Sequence, residues 1–321
     1  MKLRIADKHI PIAATCAVCL VLYGVASVIY RGFFSANVLV NFLTDNSFLG
    51  ITAIGMTFVI LSGGIDLSVG AVVGFSSILI ATLVQKAHLH PAVAITIALA
   101  LGTLLGLGMG ALIRFYSMPP FLVTLAGMFL ARGMGFVVGL ESIPIDHSFY
   151  KALTQVRLPL GPAVDLPATA LIFLAVFGIA VFVAHCTRFG RNVYALGGNE
   201  QSAVLMGLPV GGTKLRVYAL SGFCSALAGV VYTLYTFSGN PIAGTGLELD
   251  AIAAVVIGGT LLSGGIGYVA GTLAGVLIFG IIQTWITFEG TLSSWWTKIA
   301  IGALLLFFIL LQKLVQGKRP G

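Results

Sequence analysis

Runs of apolar residues, each close to the length that crosses a bilayer, divide this chain almost from end to end. A helix needs about 20 predominantly apolar residues to cross the hydrocarbon core. On that measure ten spans are expected, at residues 10–30, 47–62, 67–85, 92–113, 121–140, 168–186, 215–237, 248–263, 268–287 and 296–312. Residues 35–43 are too few to cross alone and read as a half-helix or an interfacial piece before the second span. The first run exceeds the h-region of a signal peptide (about 7–15 residues), and no small-residue cleavage site closes it, so it reads as a retained span. The expected fold is an all-α, polytopic membrane bundle of about ten transmembrane helices.

The polar positions matter because they are few. Between the second and third spans stands Leu61-Ser62-Gly63-Gly64-Ile65-Asp66-Leu67-Ser68-Val69-Gly70. Glycine pairs disfavour helix by about 1 kcal/mol per residue. Non-helical backbone at membrane depth survives only when buried in protein or lining a wet cavity. Two readings stay open for Asp66: an N-cap of the third span, or a carboxylate in a polar path with Ser68. Leu61 to Ile65 recurs as Leu262-Ser263-Gly264-Gly265-Ile266, 201 residues on, with Gly271 matching Gly70. Six spans separate the copies, so the repeat is parallel. Asp66 falls on Gly267, so the second copy lacks the acid. Such repeats with glycine-broken helices are a habit of transporters.

Arg132 lies mid-span in 121–140, among Gly127, Gly133 and Gly135. Charges that deep face a bundle interior. It is either a polar handle in a path, with Asp66 as a possible partner, or a hydrogen bonder to helix carbonyls. Glu248 and Asp250 open the eighth span after Asn240 and Pro241, and either meet a polar substrate or cap the helix. Lys298 after Trp295-Trp296 reads as a snorkelling lysine in an interfacial aromatic belt. Hydroxyls, amides and aromatics such as Phe75, Tyr232 and Tyr235 suit a neutral polyol better than a charged substrate.

Composition supports the membrane assignment. The 321 residues are 58% hydrophobic and only 8% charged, against about 25% charged in soluble domains. The net charge of +7 reflects span ends, not nucleic-acid binding. With a cytoplasmic N-terminus, the inner ends hold Lys2, Arg4, Lys8, Arg114, Arg188, Arg191, Lys214, Arg216, Lys313, Lys318 and Arg319. The outer ends hold Arg31, Lys86, Lys151 and Arg157. That asymmetry predicts both termini inside. Residues 141–167 then form an outer loop suited to an extracytoplasmic partner. Residues 187–213 form an inner loop with a short helix at about 201–207, bracketed by glycine and proline, suited to a soluble partner. Neither a phosphate-binding G-x-x-x-x-G-K-[ST] loop nor a hydrolase or zinc motif is present, so no catalytic residue and no metal ligand is assigned. The four cysteines read as packing residues.

Three stretches carry a family resemblance: the run from Gly55 through Gly70, the loop Tyr194-Ala195-Leu196-Gly197-Gly198-Asn199 through Met206-Gly207, and Ile257-Gly258-Gly259-Thr260 with Ser263-Gly264-Gly265. Together they resemble ribose-type sugar permeases of ATP-binding-cassette importers, within the branched-chain amino-acid and monosaccharide permease superfamily. More narrowly, Asn46-Ser47-Phe48-Leu49-Gly50, Glu141-Ser142-Ile143-Pro144-Ile145 and Gly290-Thr291-Leu292-Ser293-Ser294-Trp295-Trp296-Thr297-Lys298 look like a permease subunit of bacterial galactofuranose importers. The resemblance implies a type II-like importer arrangement, with residues 1–321 as one transmembrane permease domain in the bacterial inner membrane. It implies three kinds of partner: a second permease in a heterodimer, cytoplasmic ATPase subunits and a periplasmic sugar-binding protein. ATP and Mg belong to the ATPase, and this chain binds no cofactor. The coupling residues would be Gly198, Asn199, Glu200, Ala203, Met206 and Gly207. The candidate path residues are Asp66, Ser68, Phe75, Arg132, Asn240 and Asp250. Two alternatives remain: a branched-chain amino-acid permease of the same superfamily, and a secondary transporter driven by protons or sodium.

Overall fold

The computed structural model describes residues 10–161, 164–293 and 295–316. The terminal basic residues Lys2, Arg4, Lys8, Lys318 and Arg319, together with Pro162 and Ser294, lie outside the described residues. The chain runs α1 (Ile10–Ile29), α2 (Ala36–Asp45), α3 (Ser47–Leu61), α4 (Val69–Gln85), α5 (Pro91–Phe115) and α6 (Pro120–Val138). It continues through β1 (Ile143–Pro144), α7 (Ser148–Gln155), β2 (Arg157–Gly161), β3 (Val164–Pro167), α8 (Ala168–Cys186), α9 (Arg188–Gly198) and α10 (Glu200–Leu205). The last elements are α11 (Val210–Thr236), β4 (Ser238–Gly239), α12 (Leu247–Ile257), α13 (Val269–Glu289) and α14 (Trp295–Gln316).

The expected membrane bundle is there, but two of the ten expected spans fall short: 67–85 is the 17-residue α4, at the lower end of the spanning range, and 248–263 is broken. Among the described residues, seven helices are long and apolar enough to cross, and α2 with α3, bent by 59°, makes an eighth if the pair is one span. The expected span 248–263 is not a continuous helix. α12 has 11 residues, about 16 Å at 1.5 Å per residue, roughly half the hydrocarbon thickness. Its end leaves backbone carbonyls with no intrahelical partner at membrane depth, which is costly unless other groups reach them. They are reached: the Thr15 hydroxyl of α1 donates to Ile257 O, and the Gln312 amide of α14 donates to Val256 O at 3.1 Å and Thr260 O at 3.4 Å.

α11 is the central post, buried along most of its length between α3, α4 and α5. Its contact with α5 is backbone-close. Gly102, Gly106 and Gly110 form a small-residue stripe on α5 facing Tyr218 and Gly222, and a Cβ on Gly106 would lie 3.2 Å from the Gly222 Cα. Membrane helices associate through such stripes because packing and short-range contacts must replace the hydrophobic drive available in water.

The sequence repeat is structural. The 201-residue shift that carries Leu61 onto Leu262 also lays α4 along α13 and α5 along α14. α3 and α12 run parallel: Asn46 and Leu247 line one cavity at their starts, and Gly265 N–H donates to Leu61 O at 2.9 Å at their ends.

The loops hold more structure than their composition announces. In 141–167, β2 and β3 pair antiparallel, and β1 pairs with β4 beyond α11. This ribbon end is opposite the 187–213 end. There, α9 stands where the sequence reads as irregular loop, and α10 begins at Glu200, close to the expected short helix.

Candidate functional site

The first glycine break folds back into the bundle. After Leu61, Gly63 takes φ +80°, and the Gly63 and Gly64 N–H groups return to Ile60 and Val59 carbonyls, closing α3. The chain then re-enters, so that Asp66 meets Ser221 of α11, a residue that also packs against Gly55 midway along α3. Asp66 is fully buried. Its Oδ1 accepts from Ser68 N–H at 2.9 Å and the Ser68 hydroxyl at 2.6 Å; its Oδ2 accepts from the Ser221 hydroxyl at 2.7 Å. The backbone bond two residues on is an Asx turn leading into α4. The N-cap position of α4 is Ser68, with no side-chain cap bond, so Asp66 is not the N-cap expected of the third span: it braces the turn just before α4 and makes no ion pair with Arg132. A buried carboxylate with three donors is a satisfied group, not an orphan.

Arg132 on α6 is half-buried and turns to backbone. Its Nη1 donates to Pro241 O at 2.7 Å and Ala243 O at 2.8 Å. These are carbonyls of the 240–246 turn rather than of a helix, and Glu248 beyond the turn supplies an opposite charge. The turn dips beside α4: Asn240 N–H donates to Ser77 Oγ at 3.1 Å, and Asn240 Oδ1 accepts from Ile242 N–H at 3.0 Å. Phe75 and Ser68 are buried on the same stretch of α4.

Two clefts meet at the ribbon end. One, of about 310 Å³, is lined by Asp45, Asn46, Tyr232, Thr245, Asp250 and Gln283, among others. The second, of about 590 Å³, shares Asp250 and Gln283 and adds Thr287, Trp295 and Lys298. Lys298 Nζ donates to both Asp250 oxygens, at 2.6 and 2.5 Å, tying α14 to α12. Lys298 is thus an ion-pair partner and not merely a snorkelling chain. The Tyr235 hydroxyl donates to Asp45 Oδ1 at 3.0 Å. Asp250, therefore, lines an open polar cleft, whereas Asp66, Ser68 and Phe75 are enclosed.

At the opposite end a cleft of about 570 Å³ runs between the first break, Arg114, Tyr218 and the α10–α11 connection. Asn199 caps α10 by accepting from Ser202 N–H at 2.8 Å, Glu200 pairs with Lys214 at 2.6 Å, Ala203 is buried, and Gly207 takes φ +73° after the helix. Val204, Leu205 and Met206 stand exposed, Leu205 at 88%. Gly198 has open space at its Cβ position, whereas its neighbour Gly197 is wedged against Leu61 and Gly265. Sequence reasoning singled out Gly198 and missed both Gly197 and Tyr194. The signal for them was their place in the stretch Tyr194 to Asn199 that carries the family resemblance.

Membrane-crossing helices, a parallel internal repeat with two infolded glycine breaks, and a helical loop at one end together define a multi-pass membrane permease. Residues 38–309 match the family described as branched-chain amino acid transport system / permease component, and the chain belongs to that family. It is 51% identical, over 95% of its length and 92% of the relative's, to the inner membrane ABC transporter permease protein YjfF of Escherichia coli K12. It is 38% identical to the ribose import permease of E. coli K12, over 92% of each chain. It is 35% identical to the fructose import permease of Bifidobacterium longum, over 98% of this chain and 94% of that one. No solved structure matches the chain.

Proposed function

We propose that this chain is a membrane-spanning permease subunit of an ATP-driven importer that carries a monosaccharide, galactofuranose or a closely related sugar, across the bacterial inner membrane. The observation that carries this reading is the end-to-end likeness to permeases named for ribose and fructose import. The narrower choice rests on three segments. Two of those resembling galactofuranose permeases, at 46–50 and 290–298, supply residues to the ribbon-end clefts, and 141–145 contains β1 at the same end. Clefts of this size suit a small ligand, and their carboxylates, amide, hydroxyls and Trp295 suit a polyol.

In this reading the ribbon end faces the periplasm and receives sugar from a binding protein. The α9–α10 loop faces the cytoplasm, where the exposed Val204, Leu205 and Met206 meet an ATPase subunit that holds ATP and Mg. A second, different permease completes the path. The test is uptake into liposomes holding this chain, its partner permease and ATPase, with the binding protein added outside. Expected is ATP-dependent entry of labelled galactofuranose in preference to galactopyranose, ribose and leucine. Preferential entry of leucine would move the chain to the amino-acid branch. Uptake without ATP that collapses with a proton or sodium gradient would make it a secondary transporter.

A further inference from the structure

The two glycine breaks come from opposite halves of the repeat, yet they touch. Their junction is one hydrogen bond, Gly265 N–H to Leu61 O at 2.9 Å. The backbones are close enough that a Cβ on Gly264 would lie 2.7 Å from Gly63 N. Neither Gly264 nor Gly265, at φ +86° and +73°, has the conformation of an ordinary residue.

A third segment closes on this junction. Gly197, at the end of α9, sits directly over the joining hydrogen bond: a Cβ there would collide with the Leu61 carbonyl and lie 2.5 Å from Gly265 N. One turn earlier on the same helix, the Tyr194 hydroxyl donates to Gly267 O at 2.9 Å, and its ring stacks with His185 at the end of α8. Gly267 is the position where the second copy lacks the first copy's carboxylate. The Asp66 side chain braces the first break from within; the second is braced from outside, by α9.

We infer that α9 is a clamp that holds the two breaks together, with Tyr194 and Gly197 as its positioning residues, so that movement of the 187–213 loop opens and closes both breaks as one gate. This rests on the importer reading above for the source of the movement, while the clamp itself is a property of the chain alone. The mechanical argument is short. α10 touches its surroundings mainly through α9 and α11, so a force on α10 reaches the breaks through the Gly198–Asn199 corner and α9. Because Gly197 lacks a side chain, α9 can lie on both backbones at once. A shift of α9 therefore acts on both copies of the repeat rather than on one.

The test has two arms. In the first, amide exchange is followed on the intact permease in detergent, without partners. Tyr194→Phe removes one hydroxyl, Gly197→Ala drives a methyl into the junction, and Gly108→Ala, exposed on α5 with open space at its Cβ position, is the control. Expected is at least roughly tenfold faster exchange across residues 264–268 in the first two and no change in the third. Unchanged exchange in Tyr194→Phe and Gly197→Ala overturns the clamp, and if Gly197→Ala does not fold, Tyr194→Phe alone decides. In the second arm the same variants enter the complete importer in liposomes. Expected is continued ATP hydrolysis with sugar moved per ATP down roughly fivefold or more for Tyr194→Phe and Gly197→Ala, and a wild-type ratio for Gly108→Ala. A wild-type ratio in all three, with the wild type transporting, overturns the coupled gate. A wild type that moves no sugar overturns the importer reading instead, while the exchange arm still judges the clamp.

Discussion

At the scale of single residues, the informative charges in the membrane are held by neighbours chosen to satisfy them. Asp66 takes three donors, two from Ser68 and one from Ser221. Asparagine keeps an acceptor for Ser68 and can donate to the Ser221 oxygen, so Asp66→Asn is expected to leave thermal unfolding in detergent within about 1 kcal/mol of wild type. Leucine cannot serve any of the three. Asp66→Leu leaves buried donors unpaired and is expected to lose roughly 3 kcal/mol or more, read as a lower midpoint and lost expression. Equal stability of the two variants would remove the bracing role from Asp66. Arg132 follows the same logic with backbone as its partner: it pins the 240–246 turn against α4. Its neighbours were invisible in the sequence because Pro241 and Ala243 lie more than 100 residues away and offer only carbonyls, which no side-chain pattern announces. Outside the membrane, burial pushes the Tyr150 hydroxyl up to about 12, so it stays protonated and bonded to Thr233 through the physiological range.

At the scale of elements, the sequence was legible wherever an apolar run and a helix coincide. α1, α5, α6, α8, α13 and α14 stand where hydropathy put them, and the break after Leu61 was legible because two glycines and an acid interrupt the oil. α12 was not. The apolar run carries on through Gly258 to Leu262, and what ends the helix is a left-handed Gly259 together with caps from α1 and α14, residues far away in sequence. α9 was missed for the opposite reason. Gly190, Gly197 and Gly198 argue locally against helix, but Thr187 caps its start and Val193 and Leu196 are buried against the bundle, so tertiary packing overrides propensity. The half-length of α12 gives an element-scale prediction. Gln312→Leu removes the amide that serves Val256 and Thr260 while keeping comparable bulk. It is expected to cost about 1–3 kcal/mol in thermal unfolding and to speed amide exchange at 256–262. Gln312→Glu, with no donor when ionised, should do no better, whereas Gln312→Asn tests reach alone. Wild-type exchange in Gln312→Leu would show that α12 ends without help from α14.

At the scale of the whole molecule, the repeat makes the two ends different in kind. At the ribbon end the starts of α3 and α12 spread around open polar clefts; at the other, the breaks of both copies close on one another under α9. In the proposed importer, sugar entry and energy input would fall at these opposite faces, and the distribution of basic residues sets which face is which. Among the described residues, Arg114, Arg188, Arg191, Lys214, Arg216 and Lys313 gather at the α9–α10 end, and such residues stay on the cytoplasmic side during insertion. A cysteine-free chain with one new cysteine at Ser148, the first residue of α7, is expected to react with a membrane-impermeant maleimide on intact spheroplasts. A cysteine at Gln201, exposed on α10, is expected to react only after the membrane is opened. The reverse pattern would turn the molecule over. The polar clefts would then face the cytoplasm and the clamp the periplasm, which no ATPase could reach, and the importer reading would fall with the orientation.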